Sequence, residues 1–256
     1  MQVATLKRLG ISIAIWLVLF GSVAVGQTEK SIARLFDEFG DIQASDLIAR
    51  VDNLALQLQQ QPDVKGFVVV YRTRRDLPGL SNRYAHRIKS YLVNSRGVPA
   101  ERVVTVDGGE ASCLTQELWI VPPGSAPQPR ADAYQNSYAP SVAKFDEHYL
   151  GDDEGSYWAN DPGDFLEAYG LELQKHPKST AYLVAYRGRP GTGPRNVQRS
   201  LRGERNFLVK EFRIKGSRIR MINGGFREWP MMELWVAYER GAVPLIASYH
   251  YVRRGR

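Results

Sequence analysis

Phe67-Val68-Val69-Val70-Tyr71-Arg72 governs how this chain is read, because it is written twice: Tyr182-Leu183-Val184-Ala185-Tyr186-Arg187 stands 115 residues later. A continuous apolar run rich in valine belongs to a strand covered on both faces, often a parallel one. The repetition extends outward from it. Tyr91-Leu92-Val93 through Arg102-Val103 returns as Phe207-Leu208-Val209 through Arg218-Ile219, Gly108-Gly109 as Gly224-Gly225, and Glu117-Leu118-Trp119 as Glu233-Leu234-Trp235. The offset stays at 115 or 116 residues throughout. A constant period of this kind implies two copies of one supersecondary unit.

In the first copy a strand is expected near Phe36, within Ser31 to Gly40. Ser45 is a candidate N-cap for a helix whose buried face is Leu47, Val51, Leu54, Ala55 and Leu58, stopped by Pro62. After the Phe67–Tyr71 strand comes a basic loop holding Arg72, Arg74, Arg75, Asp76, Pro78 and Gly79. A second helix is predicted from about Asn82 to Arg96, buried through Tyr84, Ile88, Tyr91 and Leu92, with Gly97 in the position that ends it. Strands follow at Val103–Val106 and Leu118–Val121. The order β-α-β-α-β-β makes the fold class α+β, with both helices packed on one face of a mixed sheet.

Pro122 to Val142, rich in Pro, Ser, Ala and Gln, reads as a semi-extended linker. Phe145-Asp146-Glu147 echoes Phe36-Asp37-Glu38 and restarts the unit. Asp164 is a candidate cap for a helix with Phe165, Leu166, Tyr169 and Leu173 inside, ended at His176-Pro177. A second helix is expected over Val197–Phe212 and strands over Ile219–Ile222 and Leu234–Tyr238, with Leu245–Val252 as a possible extra edge strand. Residues 151–164 form an acidic insertion, oxygen-rich enough to raise calcium, yet lacking the glutamate that closes a 12-residue calcium loop. A plain solvated loop is the preferred expectation.

The chain has 256 residues, of which 43% are apolar, enough for two cores. Its first residues resemble an export leader. Lys7 and Arg8 precede the uncharged run Ile11–Phe20, and Ala24-Val25-Gly26 supplies small residues for cleavage before Gln27. An uncleaved membrane anchor is the alternative, although the run is short for the ~20 residues that span a bilayer. No Cys follows the run, which excludes lipoprotein processing. Residues 1–26 hold two basic and no acidic residues, so their removal lowers the formal charge from +7 to +5. The expected organisation is leader 1–26, domain 27–121, linker 122–142 and domain 143–256, in an exported protein of the periplasm or the extracellular space. Cys113 is the only cysteine, so no internal disulfide forms; it is expected to be buried as a small hydrophobe, with an intermolecular bridge as the alternative.

On these residues the unit resembles the C-terminal domain of outer-membrane protein A and of peptidoglycan-associated proteins. The resemblance is carried by Val68–Thr73, by Leu80-Ser81-Asn82-Arg83-Tyr84-Ala85, by Tyr91-Leu92 and by Gly97-Val98-Pro99-Ala100-Glu101-Arg102-Val103. It covers roughly residues 34–121, and the second copy keeps the plan but few of the letters. The resemblance implies an OmpA-like sandwich and a ligand site for the diaminopimelate of peptidoglycan. There an aspartate in the turn after the strand grips the ammonium, and an arginine opening the second helix grips the carboxylate. In this chain Arg74 stands at the aspartate position and Tyr84 at the arginine position; in the second copy Arg189 and Ser200 stand there. Asp76 and Arg83 are close enough in sequence to rebuild such a clamp from shifted positions.

Nothing in the sequence points to catalysis. His86, His148, His176 and His250 are scattered, no histidine or cysteine pair has metal-ligand spacing, and no cofactor motif is present. The Gly188–Pro194 turn lacks the Gly-Lys-Ser/Thr ending of a phosphate loop. Candidate ligand residues are Arg72, Arg74, Arg75, Asp76 and Arg83 in the first copy and Arg187, Arg189 and Arg195 in the second. They lie on loops beyond strand ends, where ligands commonly sit. Guanidinium groups there suit carboxylate- or phosphate-bearing polymers. The leading expectation is a non-catalytic envelope protein that binds peptidoglycan or another anionic envelope polymer. The alternative is a scaffold or subunit of an envelope or extracellular assembly, with envelope proteins as partners. Nucleic acid is not expected as a partner, and a membrane only through an uncleaved leader.

Overall fold

A computed structural model describes residues 32–134, 140–150, 162–189 and 197–246. Two four-stranded mixed sheets of identical plan are present among them. The first half runs β1 (Arg34–Phe39), α1 (Ala44–Gln60), β2 (Lys65–Arg72), α2 (Gly79–Ser90), β3 (Val103–Glu110) and β4 (Thr115–Val121). The second runs β5 (Val142–Tyr149), α3 (Pro162–Lys175), β6 (Thr180–Arg187), α4 (Val197–Lys210), β7 (Ile219–Phe226) and β8 (Met231–Ala237). The sheet orders are β1-β4-β2-β3 and β5-β8-β6-β7. In each sheet the last strand lies antiparallel between the first two, and the third pairs parallel with the second. The architecture is α+β.

Alternation along each strand sorts side chains onto two faces. Val68, Val70, Leu118 and Ile120 face the apolar stripes of α1 and α2, which bury Val51, Leu54, Leu58, Ile88 and Leu92 against them. Leu183, Ala185, Leu234 and Val236 meet Leu166, Tyr169, Leu173, Leu201 and Leu208 in the same way. Each half therefore has its own interior, with both helices on one face, while the described residues from 32 onward belong to one compact unit. Period-3.6 stripes and two continuous apolar runs account for this arrangement.

The equivalence extends to irregularities. Register shifts fall between Leu35 and Asp37 and between Lys144 and Asp146, and again between Val70 and Tyr71 and between Ala185 and Tyr186. The residues skipped opposite the second pair of shifts are Gly108 and Gly224. A Cβ on either would strike the ring of Tyr71 or Tyr186, which is why the Gly-Gly pair is written twice. Gly97 and Arg213, 116 residues apart, both adopt positive φ after the second helix of their half. Arg102 donates to the carbonyls of Leu58, Gln61 and Val64, and Arg218 to those of Leu173, His176 and Ser179. The arginine of the Gly-x-x-x-x-Arg tail thus satisfies the orphan carbonyls at the end of the first helix.

Several expectations are corrected. Helix α1 starts at Ala44 with Gln43 at the cap and no side-chain cap bond, so Ser45 is not its cap. Helix α2 starts at Gly79, three residues earlier than predicted, and continues through a π turn at Tyr91–Ser95. Helix α3 starts at Pro162, which places Asp164 inside its first turn. Cys113 is exposed, because it sits in the β3–β4 turn rather than on a strand face. Leu245 and Ile246 form no strand. The rest of that expected strand, the leader, residues 151–161 of the acidic insertion and Pro190–Pro194 of the glycine-rich turn lie outside the described residues. No helix of the described residues is long and apolar enough to cross a membrane.

The expected linker does not run free. Tyr134 pairs with Glu110 through two backbone hydrogen bonds at the β3 edge. Ala133 packs on the second face of sheet one, beside Val69, Tyr71, Trp119 and Val121. Arg130 holds Glu38, Glu117 and Asp132. Alternation leaves the helix-free face of sheet one apolar, and this segment covers part of it.

Candidate functional site

The first-half loop does not form the expected clamp. Arg72 turns back onto Glu110, 3.4 Å away, and its side chain is largely buried. Asp76 accepts from the backbone N–H and the hydroxyl of Thr73, at 2.8 and 2.7 Å, and so closes its own turn. Arg83 points to the second half of the molecule, where its Nε donates to Asp146 at 3.1 Å. Asp76 and Arg83 are therefore committed to different partners. A carboxylate three residues after a threonine makes a local turn, and the buried Asp146 claims the guanidinium. Arg74 and Arg75 are exposed at the loop tip.

In the second half Arg187 is exposed and lies over the Phe226 ring, and Arg189 pairs with Glu228 at 3.0 Å on the surface. Arg195 lies outside the described residues. The arginines of the two loops are not brought into one described pocket. Among the described residues no group of His, Cys, Asp and Glu could hold a metal ion.

What the fold assembles instead is a contact between α2 of the first half and α3 and β5 of the second. Arg83 pairs with Asp146, Arg87 with Asp164 at 2.9 Å, and His86 with Glu167 at 3.5 Å. The Arg83 guanidinium stacks on Phe165, 4.0 Å from the ring centroid. Gly79 opens α2 so close to Phe145 that a Cβ would lie 2.7 Å from its ring. Burial pushes the Asp146 carboxyl up from its usual value, and Arg83 opposes that shift. The start of α2 is thus covered by α3 and β5 of the second half. Sequence reasoning placed Arg83, Arg87, Asp146 and Asp164 on their elements but had no signal for their pairing, since 63 and 77 residues separate the partners.

A second polar cluster lies under α4. His148 and Glu204 are both buried, with Nε2 and Oε1 3.3 Å apart. Burial opposes protonation of His148, but the Glu204 carboxylate outweighs it, so the imidazole holds its proton to higher pH than usual. By the register of the copies these two residues replace Phe39 and Ile88, an apolar contact in the first half. On the far face of sheet two, Glu233 accepts from Trp235, Tyr186 and Arg227. Burial pushes the Glu233 carboxyl up, and these donors outweigh it and hold it below its usual range. Glu117, Trp119, Tyr71 and Arg130 build the counterpart in sheet one. The carboxylates of Glu117 and Glu233 are held by several donors, whereas His148 Nε2 and Glu204 Oε2 are buried without a hydrogen bond of good geometry, so that pair is held by charge.

Neither the family models nor the curated proteins compared with this chain match it.

Proposed function

We propose that this chain is a non-enzymatic scaffold or assembly subunit of the cell envelope, exported behind its leader. In this reading the chain is a tandem pair of OmpA-like sandwiches in which the first copy no longer offers a peptidoglycan site. One observation carries the reading: Arg83, His86 and Arg87, on the helix face that opens the second helix of the unit, are spent on Asp146, Glu167 and Asp164 of the second copy. A zwitterion clamp needs an acid and a guanidinium aimed at one ligand. Here the acid closes a turn and the guanidinium closes an interface.

Sedimentation with purified peptidoglycan sacculi tests this. The chain stays in the supernatant at low and physiological salt. Retention that persists at physiological salt and is lost in Arg74→Glu would instead establish the second reading, binding of an anionic envelope polymer through Arg74 and Arg75. The exposure of those two arginines at the loop tip favours that second reading.

A further inference from the structure

We infer that the chain associates head to tail with further copies of itself, the outer face of α4 in one molecule docking on the outer face of α1 in the next, in the manner of the α2–α3 contact within each molecule. The proposal rests on the scaffold reading and names its partner.

Each contact helix inside the molecule has an equivalent with an exposed outer face. Burial aligns α2 with α4 at an offset of 116: Ser81, Ala85, Ile88 and Leu92 are buried, and so are Val197, Leu201, Glu204 and Leu208. On the adjoining face Arg83, His86 and Arg87 are wholly or partly covered by the second half, whereas Arg199, Arg202 and Gly203 are exposed. They line a surface depression with Gln198 and Asn206. Burial likewise aligns α1 with α3 at an offset of 115: Val51, Leu54 and Leu58 match Leu166, Tyr169 and Leu173. Ala168 and Leu171 of α3 are buried and half-buried; their equivalents Asn53 and Leu56 are exposed, Leu56 at 53%.

The charges correspond pair by pair. Arg83–Asp146 becomes Arg199 and Asp37, because the bulges of β1 and β5 align Asp37 with Asp146. His86–Glu167 becomes Arg202 and Asp52. Arg87–Asp164 becomes Gly203 and Ala49, so where one member of the third pair is missing its partner is missing too. Space is open above Gly203, where a Cβ would meet nothing. Asp37 already accepts from Arg50, and Asp52 from Arg96 and Tyr91. An aspartate has lone pairs for more than one donor, so Arg199 and Arg202 join these pairs rather than replace them. Such an interface is heterologous, and it extends into chains unless its rotation closes a ring. Its charged pairs lie near the surface, so salt weakens it.

Sedimentation velocity on residues 31–256, whose described residues belong to one compact unit, reads the outcome. At low salt and high micromolar concentration the wild type sediments as a series of species that lengthens with concentration and shrinks with salt. Arg199→Glu/Arg202→Glu, with α4 blocked, and Leu56→Arg, with α1 blocked, are each monomeric. Mixed in equal amounts they give one dimer that does not grow, because each supplies the face the other lacks. All three positions are exposed, and unchanged circular dichroism verifies folding of the variants. A monomeric wild type, association that survives in both variants, or a mixture that stays monomeric or grows beyond the dimer overturns the proposal. Retention on sacculi would remove the scaffold reading without touching this result, and a monomer would leave the scaffold reading in place.

Discussion

The Nε of Arg83, on α2 of the first copy, donates to Asp146, on β5 of the second, across 3.1 Å, in surroundings where the carboxylate side chain is only 2% exposed. An ion pair this deeply covered is costly to break, because either partner left alone is an uncompensated buried charge. The two copies are fastened to each other at this pair.

Gly108 and Gly224 are required by contact. Gly108→Ala drives a Cβ into the Tyr71 ring, and Gly224→Ala does the same to Tyr186. Each substitution is expected to destabilise by ~1–3 kcal/mol, the usual range for overpacking. Urea denaturation measures it, and a change within a few tenths of a kcal/mol at either site contradicts the packing described.

Arg102→Ala and Arg218→Ala each remove a guanidinium that serves three backbone carbonyls. The expected loss is roughly 1.5–3 kcal/mol, the size of a hydrogen bond to a charged group. Lysine at either position recovers only part of this, since it lacks the planar fork. Full rescue by lysine in thermal or urea unfolding would show that charge, not geometry, is what matters there.

Much of this was legible. The repeat, the β-α-β-α-β-β order of its elements, the stripe Val51–Leu54–Leu58 and the two apolar runs follow from period and apolar pattern, which depend on near neighbours in sequence. The roles of Arg72, Asp76 and Arg83 did not. Arginine in a loop after a strand looks the same whether it is solvated, paired with Glu110 or captured by Asp146. What decides is a partner tens of residues away. The segment 122–134 misled for a similar reason: its Pro and Ser content describes its backbone correctly, but not the apolar sheet face it covers.

His148 makes part of the stability of the second copy depend on pH. Its pKa is raised on folding, so the His148–Glu204 pair contributes fully below the unfolded imidazole value of about 6.5. That contribution is lost as pH rises through the higher folded value. Chemical denaturation from pH 6 to 9 shows the decline. His148→Phe/Glu204→Ile, which copies Phe39 and Ile88, removes the decline arising from this pair and leaves stability at neutral pH unchanged or about 1–4 kcal/mol higher. A profile that is unchanged in the double variant contradicts this assignment.

Arg130 fastens the segment after β4 through Glu38, Glu117 and Asp132. Arg130→Ala leaves the Glu117 carboxylate buried with the Trp119 indole N–H still donating to it, and frees the chain near residue 130. Limited proteolysis is expected to cut there several times faster than in the wild type, while cleavage elsewhere is unchanged. Equal cutting rates would mean that Ala133 and Tyr134 alone hold the segment down.

The pairing of Arg83 with Asp146 is tested most directly by a double-mutant cycle. Arg83→Met and Asp146→Asn are each expected to cost ~3–5 kcal/mol, as loss of one partner of a buried pair does. The two together are expected to cost less than the sum of the singles by at least ~1 kcal/mol, because contacting residues couple. Urea unfolding of residues 31–256 supplies all four free energies. Additivity within about 0.5 kcal/mol, the behaviour of distant sites, would mean that the two copies are not joined there and that the first copy's helix face is free for a ligand.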